Sequence, residues 1–118
     1  MRILFDKNVP VGVRRFLAPH EVRTVAELNW PPQLENGELL KAAEDAAYDV
    51  FITSDQNIRY QQNLSLRKLG LVVLTSNLWP SVRNCGSAIQ AAVENATPGS
   101  FQTTTVPLPP LPRRTSPQ

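Results

Sequence analysis

The sequence predicts an α/β fold in which helices cover a mainly parallel central sheet. Short apolar runs with high strand propensity recur at residues 3–5, 50–52 and 71–74. Between these runs lie segments whose apolar residues repeat at helical spacing. Because strands and helices that alternate at such lengths are typical of parallel sheets with helices on both faces, we expect a three-layer α/β/α sandwich.

The first half of the chain contains two predicted strands and two predicted helices. A near-continuous apolar strand is expected over residues 2–6, and a helix follows Pro10, since proline suits the first turn of a helix. Residues 20–25 alternate between apolar and polar, which predicts a second, more exposed strand. The next helix is predicted over residues 37–47, with Asn36 as its N-cap.

The second half continues the alternation. Strands are predicted over residues 49–53 and 71–74, with a short helix over residues 58–64 between them and an edge strand over residues 101–106. A last helix begins at Pro80 and has a core face of Val82, Cys85, Ile89, Ala92 and Val93. Residues 1–104 therefore form one predicted domain, a size that supports one core.

Residues 105–118 form a predicted proline-rich, disordered tail. Five of the eleven prolines fall between residue 107 and the end of the sequence. Proline cannot continue a helix or an inner strand, so a mobile, polyproline-like extension is expected. Residues 109–114 also resemble a proline-rich docking ligand, although a disordered extension is the simpler interpretation.

Charge is distributed unevenly although the net charge is only +2. Such a balance excludes the strongly basic footprint of many nucleic-acid-binding domains. Residues 24–58 hold seven acids and one base, whereas residues 1–23 and 59–83 are mainly basic. An acidic centre flanked by basic segments suits a metal site with a rim that attracts phosphate, and ordinary solvated surface charge explains the same counts.

Several other classes of protein are disfavoured. Cys85 is the only cysteine, which excludes an intramolecular disulfide and suggests a reducing compartment. His20 is the only histidine, so no histidine-rich metal site can form, and no Gly-rich phosphate loop is present. We find no signal peptide and no apolar run of transmembrane length, so a cytoplasmic protein without membrane association is expected.

Three acids occupy positions that a parallel sheet would gather at one edge. Asp6 and Asp55 follow predicted strands, and Glu38 opens the helix that leads into the second of these strands. Ligands bind at the carboxyl ends of strands in open α/β sheets. Carboxylates that are brought together repel one another unless a divalent cation neutralises them, and an oxygen-only set suits Mg²⁺ or Mn²⁺. Such a metal could promote in-line displacement at a phosphodiester.

Polar neighbours of these acids fit the same hypothesis. Asn8 and Asn57 could supply neutral oxygens to a metal or amide donors to a substrate phosphate. Thr53 and Ser54 could hold the acids in place by hydrogen bonds.

Each acid also has a simpler explanation. Asp6 could stabilise a turn, Asp55 could cap a helix, and Glu38 could interact with a helix dipole. Only their coincidence at one predicted sheet edge favours a site. Asp49 precedes its strand and is predicted to be structural, and Glu44 lies in the middle of a helix and is predicted to be solvated.

Three sequence motifs resemble those of compact PIN-like proteins of the bacterial toxin–antitoxin type. They are Ile-Leu-Phe-Asp-Lys-Asn-Val-Pro at residues 3–10, Leu-Glu-Asn-Gly-Glu-Leu-Leu at residues 34–40 and Asp-Val-Phe-Ile-Thr-Ser-Asp-Gln-Asn at residues 49–57. The resemblance covers residues 1–104. It implies a PIN-like fold, Mg²⁺ or Mn²⁺ bound by Asp6, Glu38 and Asp55, cleavage of RNA, and a cognate antitoxin protein as partner.

The sequence also departs from the PIN-like pattern. Lys7, Asn36 and Asn57 stand where relatives often carry acids, and residues 75–77 bring no fourth acid after the next strand. A two-metal site is therefore under-supplied. Lys7 and Arg59 either hold the substrate phosphate or mark a protein that has lost activity.

Three hypotheses follow. The first is a divalent-metal-dependent ribonuclease that acts as a toxin. The second is a PIN-like module with weak or no catalytic activity that binds protein or RNA. The third is an adaptor that acts through its proline-rich tail. The sequence leaves open whether the protein forms a homodimer.

Overall fold

A five-stranded, entirely parallel sheet forms the centre of the molecule. The structure, a computed structural model, describes residues 1–31, 34, 36–56, 58 and 67–107. The strands are β1 (Arg2–Phe5), β2 (Glu21–Thr24), β3 (Val50–Thr53), β4 (Gly70–Leu74) and β5 (Phe101–Thr104). Their order in the sheet is β2-β1-β3-β4-β5, and every neighbouring pair is parallel. An α/β fold with a parallel sheet is thereby confirmed.

Helical segments connect these strands. The first connection contains the 3-10 helix Val11–Phe16. Between β2 and β3 lie the 3-10 helix Ala26–Leu28 and helix α1 (Asn36–Asp45). Between β4 and β5 lie helix α2 (Trp79–Val82), the 3-10 turn Arg83–Cys85 and helix α3 (Gly86–Glu94). The predicted helix over residues 58–64 lies outside the described residues, apart from the buried Ile58.

Both faces of the sheet are covered by apolar side chains, because alternate residues of a strand point to opposite faces. On one face, Ile3 and Phe5 pack with the 3-10 helix Val11–Phe16 and with α3. On the other face, Leu4 and Phe51 pack with α1. Burial on both faces explains why the central strands β1, β3 and β4 are mainly continuous apolar runs rather than alternating ones.

The direction of the sheet order changes between β1 and β3. The chain passes from β1 to β2 on one side, whereas β3, β4 and β5 are added in turn on the other side. Phe5 is in register with Ile52, and the Asp6 N–H donates to the Ile52 carbonyl at 2.9 Å. Because β1 and β3 end side by side at a topological switch point, their carboxyl ends form the expected position for a ligand.

The segment after Pro10 is a 3-10 helix rather than an α-helix. Its Gly12 lies under the Trp79 ring, and a Cβ at Gly12 would come within 2.5 Å of that ring. The close approach requires glycine at this position.

Helix α2 begins one residue before Pro80, and the five core positions predicted for the last helix are all buried.

Packing continues beyond residue 104. Val106 is buried, its N–H donates to Thr75 Oγ1 at 2.8 Å, and that hydroxyl lies 3.4 Å from the Val106 carbonyl oxygen. The Thr75 hydroxyl thus ties the residues that follow β5 to the end of β4. Residues 108–118, which include most of the predicted tail, lie outside the described residues.

Glu44 is not solvated, which corrects the prediction made for it. Its side chain is only 14% exposed and forms an ion pair with Arg67 at 2.8 Å. The Lys68 N–H donates to the same carboxylate. Burial raises the pKa of Glu44, but the hydrogen bonds and the positive charge of Arg67 outweigh burial and hold the pKa below its usual value of 4.5. A position in the middle of a helix did not indicate that Arg67, which is distant in the sequence, would contact Glu44.

Asp49 lies at the opposite edge of the sheet from Asp6. Its carboxylate accepts a hydrogen bond from the Arg2 N–H at 2.8 Å, and its own N–H donates to the Arg2 carbonyl at 2.8 Å. The structural role predicted for Asp49 is confirmed.

In the part of the chain that the structure describes, no helix is long and apolar enough to cross a membrane.

Candidate functional site

Asp6 is held at the carboxyl end of β1. Its backbone extends the ladder with β3 by one hydrogen bond, and the residue is only 7% exposed. The Lys7 N–H donates to Asp6 Oδ1 at 2.8 Å, and Thr53 Oγ1 donates to Asp6 Oδ2 at 2.7 Å. Both carboxylate oxygens therefore have a fixed hydrogen-bond donor. None of the ion pairs in the described part of the chain involves Asp6.

Thr53 connects the ends of β1 and β3. It is the last residue of β3 and is fully buried. While its hydroxyl donates to Asp6, the same oxygen accepts a hydrogen bond from the Asp55 N–H at 3.0 Å. The donor and acceptor in each of these two hydrogen bonds follow from the groups involved. The Asp55 backbone N–H can only donate, so the Thr53 hydroxyl accepts from it and donates its single proton to the Asp6 carboxylate. One side chain thus positions Asp6 and the turn that carries Asp55.

Asn8 and Ser54 link the same two strand ends. The Ser54 N–H donates to Asn8 Oδ1 at 3.0 Å. The amide nitrogen, Nδ2, lies 3.5 Å from Thr53 Oγ1, and since it carries two N–H groups it retains a donor for a ligand. Asn8 can therefore act as a hydrogen-bond donor to an anion. Ser54 contributes to it through its backbone.

A cavity of about 600 Å³ opens at this edge of the sheet. Asp6, Lys7, Asn8 and Asp55 line it from the ends of β1 and β3. Its volume falls within the range of small-ligand sites. The remaining wall comes from the segment after β2 and from α1, through Val25, Ala26, Asn29, Trp30, Pro31, Leu34 and Leu39.

Glu38 does not line the cavity with the two aspartates. Its side chain is exposed in the first turn of α1. Among the described residues, no group of three or more His, Cys, Asp or Glu side chains is arranged to hold a metal ion. Asn57 and Arg59 lie outside the described residues. Of the predicted site residues that are described, the structure brings all except Glu38 to the ends of β1 and β3.

The oxygen atoms at this edge fit a small divalent cation in part. Mg²⁺ usually retains several waters and binds through one or two carboxylates together with substrate phosphate oxygens. Asp6 and Asp55 provide two carboxylates in one cavity. Because Lys7 lines the same cavity, carboxylates that could hold a cation and an ammonium group that could attract a phosphate line one cavity.

The sequence analysis did not identify the wall of the cavity opposite the strand ends. No site residue was predicted between positions 25 and 34, yet six residues there line the cavity beside the acids. A signal was present in Trp30, because a tryptophan and several apolar residues in a loop need something to pack against. Without the strand order, nothing in the sequence placed this loop beside Asp6.

These features define a parallel α/β protein with a carboxylate-bearing cavity at the switch point of its sheet. No family model, no curated protein and no solved structure matches the chain. The function is therefore argued from the site itself.

Proposed function

We propose that the protein is a divalent-metal-dependent ribonuclease with a three-layer, PIN-like α/β/α domain, acting as the toxin of a toxin–antitoxin pair. The observation that carries the proposal is the common cavity of Asp6 and Asp55, at the ends of two adjacent strands, with Lys7 and Asn8 beside them. Apolar clusters on both faces of the sheet support the layered arrangement.

Each residue has a defined task in this proposal. Asp6 and Asp55 would hold Mg²⁺ or Mn²⁺, which when bound supplies charge neutralisation and an activated water at the scissile phosphodiester. Thr53 keeps the Asp6 carboxylate in one orientation through its 2.7 Å hydrogen bond. The Lys7 ammonium and Asn8 Nδ2 would bind the non-bridging oxygens of the phosphate, since both groups donate hydrogen bonds. The role that the resemblance implies for Glu38 stays a prediction.

The direct test is cleavage of RNA by the purified protein in Mg²⁺, in Mn²⁺ and in EDTA. We expect cleavage in either metal, no cleavage in EDTA, and a loss of at least about 100-fold in Asp6→Asn and Asp55→Asn, because each substitution removes a charge that the cation needs. Asp45→Asn is the matched control, because Asp45 is an exposed acid on α1 whose side chain is 69% accessible. Cleavage that persists in EDTA and in both site variants would refute the proposal.

A second candidate is a PIN-like module that binds RNA or protein without cleaving RNA. The exposed position of Glu38 favours it, because only two of the three expected carboxylates line the cavity. This candidate predicts RNA binding that is independent of metal and no cleavage at any metal concentration. Binding assays in EDTA and in Mg²⁺ separate it from the nuclease.

The remaining expectations are part of the same proposal. A cognate antitoxin would be the protein partner, RNA the substrate, and the cytoplasm the location. Homodimerisation stays open. Co-expression with the neighbouring reading frame, followed by co-purification, tests the antitoxin partner directly.

A further inference from the structure

We infer that the wall of the cavity formed by residues 25–31 and Leu34 is a subsite for one unpaired nucleobase of an RNA strand. This inference rests on the proposed function, because it assigns the base of a nucleotide whose phosphate lies against Lys7 and Asn8. The two walls differ in chemistry. The strand ends supply charged and amide groups, whereas the segment after β2 supplies mainly apolar side chains around Trp30.

Trp30 is suited to stacking with a base. The residue is partly buried, because it packs against the apolar cluster that α1 covers, and it also lines the cavity. A partly buried tryptophan that also lines a cavity offers a preformed aromatic surface to a ligand. Unstacked bases of single-stranded RNA bind to such surfaces, and the interaction tolerates any base because every base has a π-face.

Asn29 can supply hydrogen bonds to the edge of the base. It directly precedes Trp30, is exposed and lines the cavity. No hydrogen bond of its side chain is formed within the described residues, so its amide offers both a donor and an acceptor. Its backbone has φ 55° and ψ 30°, a left-handed conformation that asparagine and glycine adopt most readily. Asn29→Gly therefore removes the amide without straining the turn.

The presence of an aromatic wall and a charged wall in one cavity favours a nucleotide over a purely apolar ligand. A nucleotide joins an aromatic ring to an anionic group, and one cavity of about 600 Å³ here contains both an aromatic wall and phosphate-binding donors. An apolar ligand would bury the donors of Lys7 and Asn8 without a partner, which is unfavourable. A base in a duplex cannot enter, since its faces are stacked and its edge is paired.

The test measures binding of adenosine and uridine, which carry no phosphate, in EDTA by NMR titration. We expect Trp30→Leu to weaken binding by about 5- to 150-fold, the range for loss of base–aromatic stacking, and Trp30→Phe to retain most of the affinity. Asn29→Gly should weaken binding to a smaller extent. Trp79→Leu is the matched control, because Trp79 is the other tryptophan, is partly buried against Phe16 and does not line the cavity.

The outcomes separate this inference from the proposed function. If wild type and Asp6→Asn bind nucleosides equally and neither cleaves RNA, the base subsite is supported and the nuclease function is rejected. If RNA is cleaved equally well by wild type, Trp30→Leu and Asn29→Gly, and if single abasic sites in the RNA have no effect, the nuclease function is supported and the base subsite is rejected. Equal losses in Trp30→Leu and Trp79→Leu, with both proteins folded by circular dichroism, also overturn it.

Discussion

Thr53 Oγ1 donates a 2.7 Å hydrogen bond to Asp6 Oδ2, although the two residues are 47 positions apart in the chain. The hydrogen bond joins the ends of β1 and β3 at the point where the direction of the sheet order changes. Both partners are buried, so water does not compete strongly for either group. The hydroxyl also accepts the Asp55 N–H, and its loss would disturb both aspartates.

Thr53→Val should therefore affect stability and metal binding together. Valine has nearly the same shape, but it removes the hydroxyl that donates to a buried carboxylate oxygen and accepts the Asp55 N–H. We expect a loss of about 1.5–3 kcal/mol in the free energy of unfolding, measured by urea denaturation. Under the proposed function, Mn²⁺ affinity should also fall by about 10- to 100-fold, measured by calorimetry.

Thr53→Ser and Thr103→Val are the controls for this prediction. Serine keeps the hydroxyl and should preserve Mn²⁺ affinity, although it loses a buried methyl group. Thr103 is exposed on β5, so Thr103→Val should change stability by no more than about 0.5 kcal/mol. If Thr53→Val bound Mn²⁺ as wild type does, the hydrogen bond would have no role in the proposed site.

A metal titration tests how the three predicted acids differ. A cation that binds the folded state raises the melting temperature by mass action, so Mg²⁺ or Mn²⁺ should stabilise the wild-type protein. We expect this shift to disappear in Asp6→Asn and Asp55→Asn, because both side chains line the cavity. Glu38→Gln should retain a clear shift, since Glu38 is exposed and does not line that cavity. Differential scanning fluorimetry provides the measurement.

Two results would contradict this ordering of the acids. A Glu38→Gln protein that has lost as much of the shift as Asp6→Asn would make Glu38 an equal ligand. A wild-type protein whose melting temperature does not respond to either metal would favour the non-catalytic module. Asp45→Asn controls for general effects of removing an acid from α1, and it should respond to metal as wild type does.

The three central strands β1, β3 and β4 were predictable from the sequence because they are buried on both faces. Parallel strands of this kind are uninterrupted apolar runs, so β3 and β4 could be located to within about a residue. That Asp6 and Asp55 reach one cavity was also predictable, because each lies within two residues of the end of a strand and parallel strands end at the same edge.

The parts that were not predictable depend on contacts between distant segments. The sequence pattern around Glu44 indicates an exposed helical position, and only the three-dimensional structure brings Arg67 to it. The position of Glu38 depends on how α1 is rotated against the sheet, which the side chains of Leu39, Leu40 and Ala43 decide by packing into the core. Helical spacing alone gives a buried face but does not say which strand end an exposed side chain will approach.

The ion pair between Glu44 and Arg67 should make stability depend on pH in a defined direction. The pKa of Glu44 is lowered in the folded state, so the ionised carboxylate contributes stability above its usual pKa of 4.5, and this contribution is lost as the pH falls through the lowered value. Glu44→Gln removes this contribution at neutral pH. We expect a loss of about 1.5–3 kcal/mol at pH 7, measured by urea denaturation, because both side chains of the pair are mostly buried, at 14% and 21% exposure.

The difference between wild type and Glu44→Gln should then shrink when the same denaturation is repeated at successively lower pH below 4.5, because Glu44 becomes protonated and its pair with Arg67 weakens. Asp45→Asn gives the matched comparison. Its partner Lys41 lies 3.4 Å away in an exposed pair, so the substitution should cost no more than about 0.5 kcal/mol at any pH. A constant difference between wild type and Glu44→Gln across the acid range would show that the carboxylate acts through packing rather than through its charge.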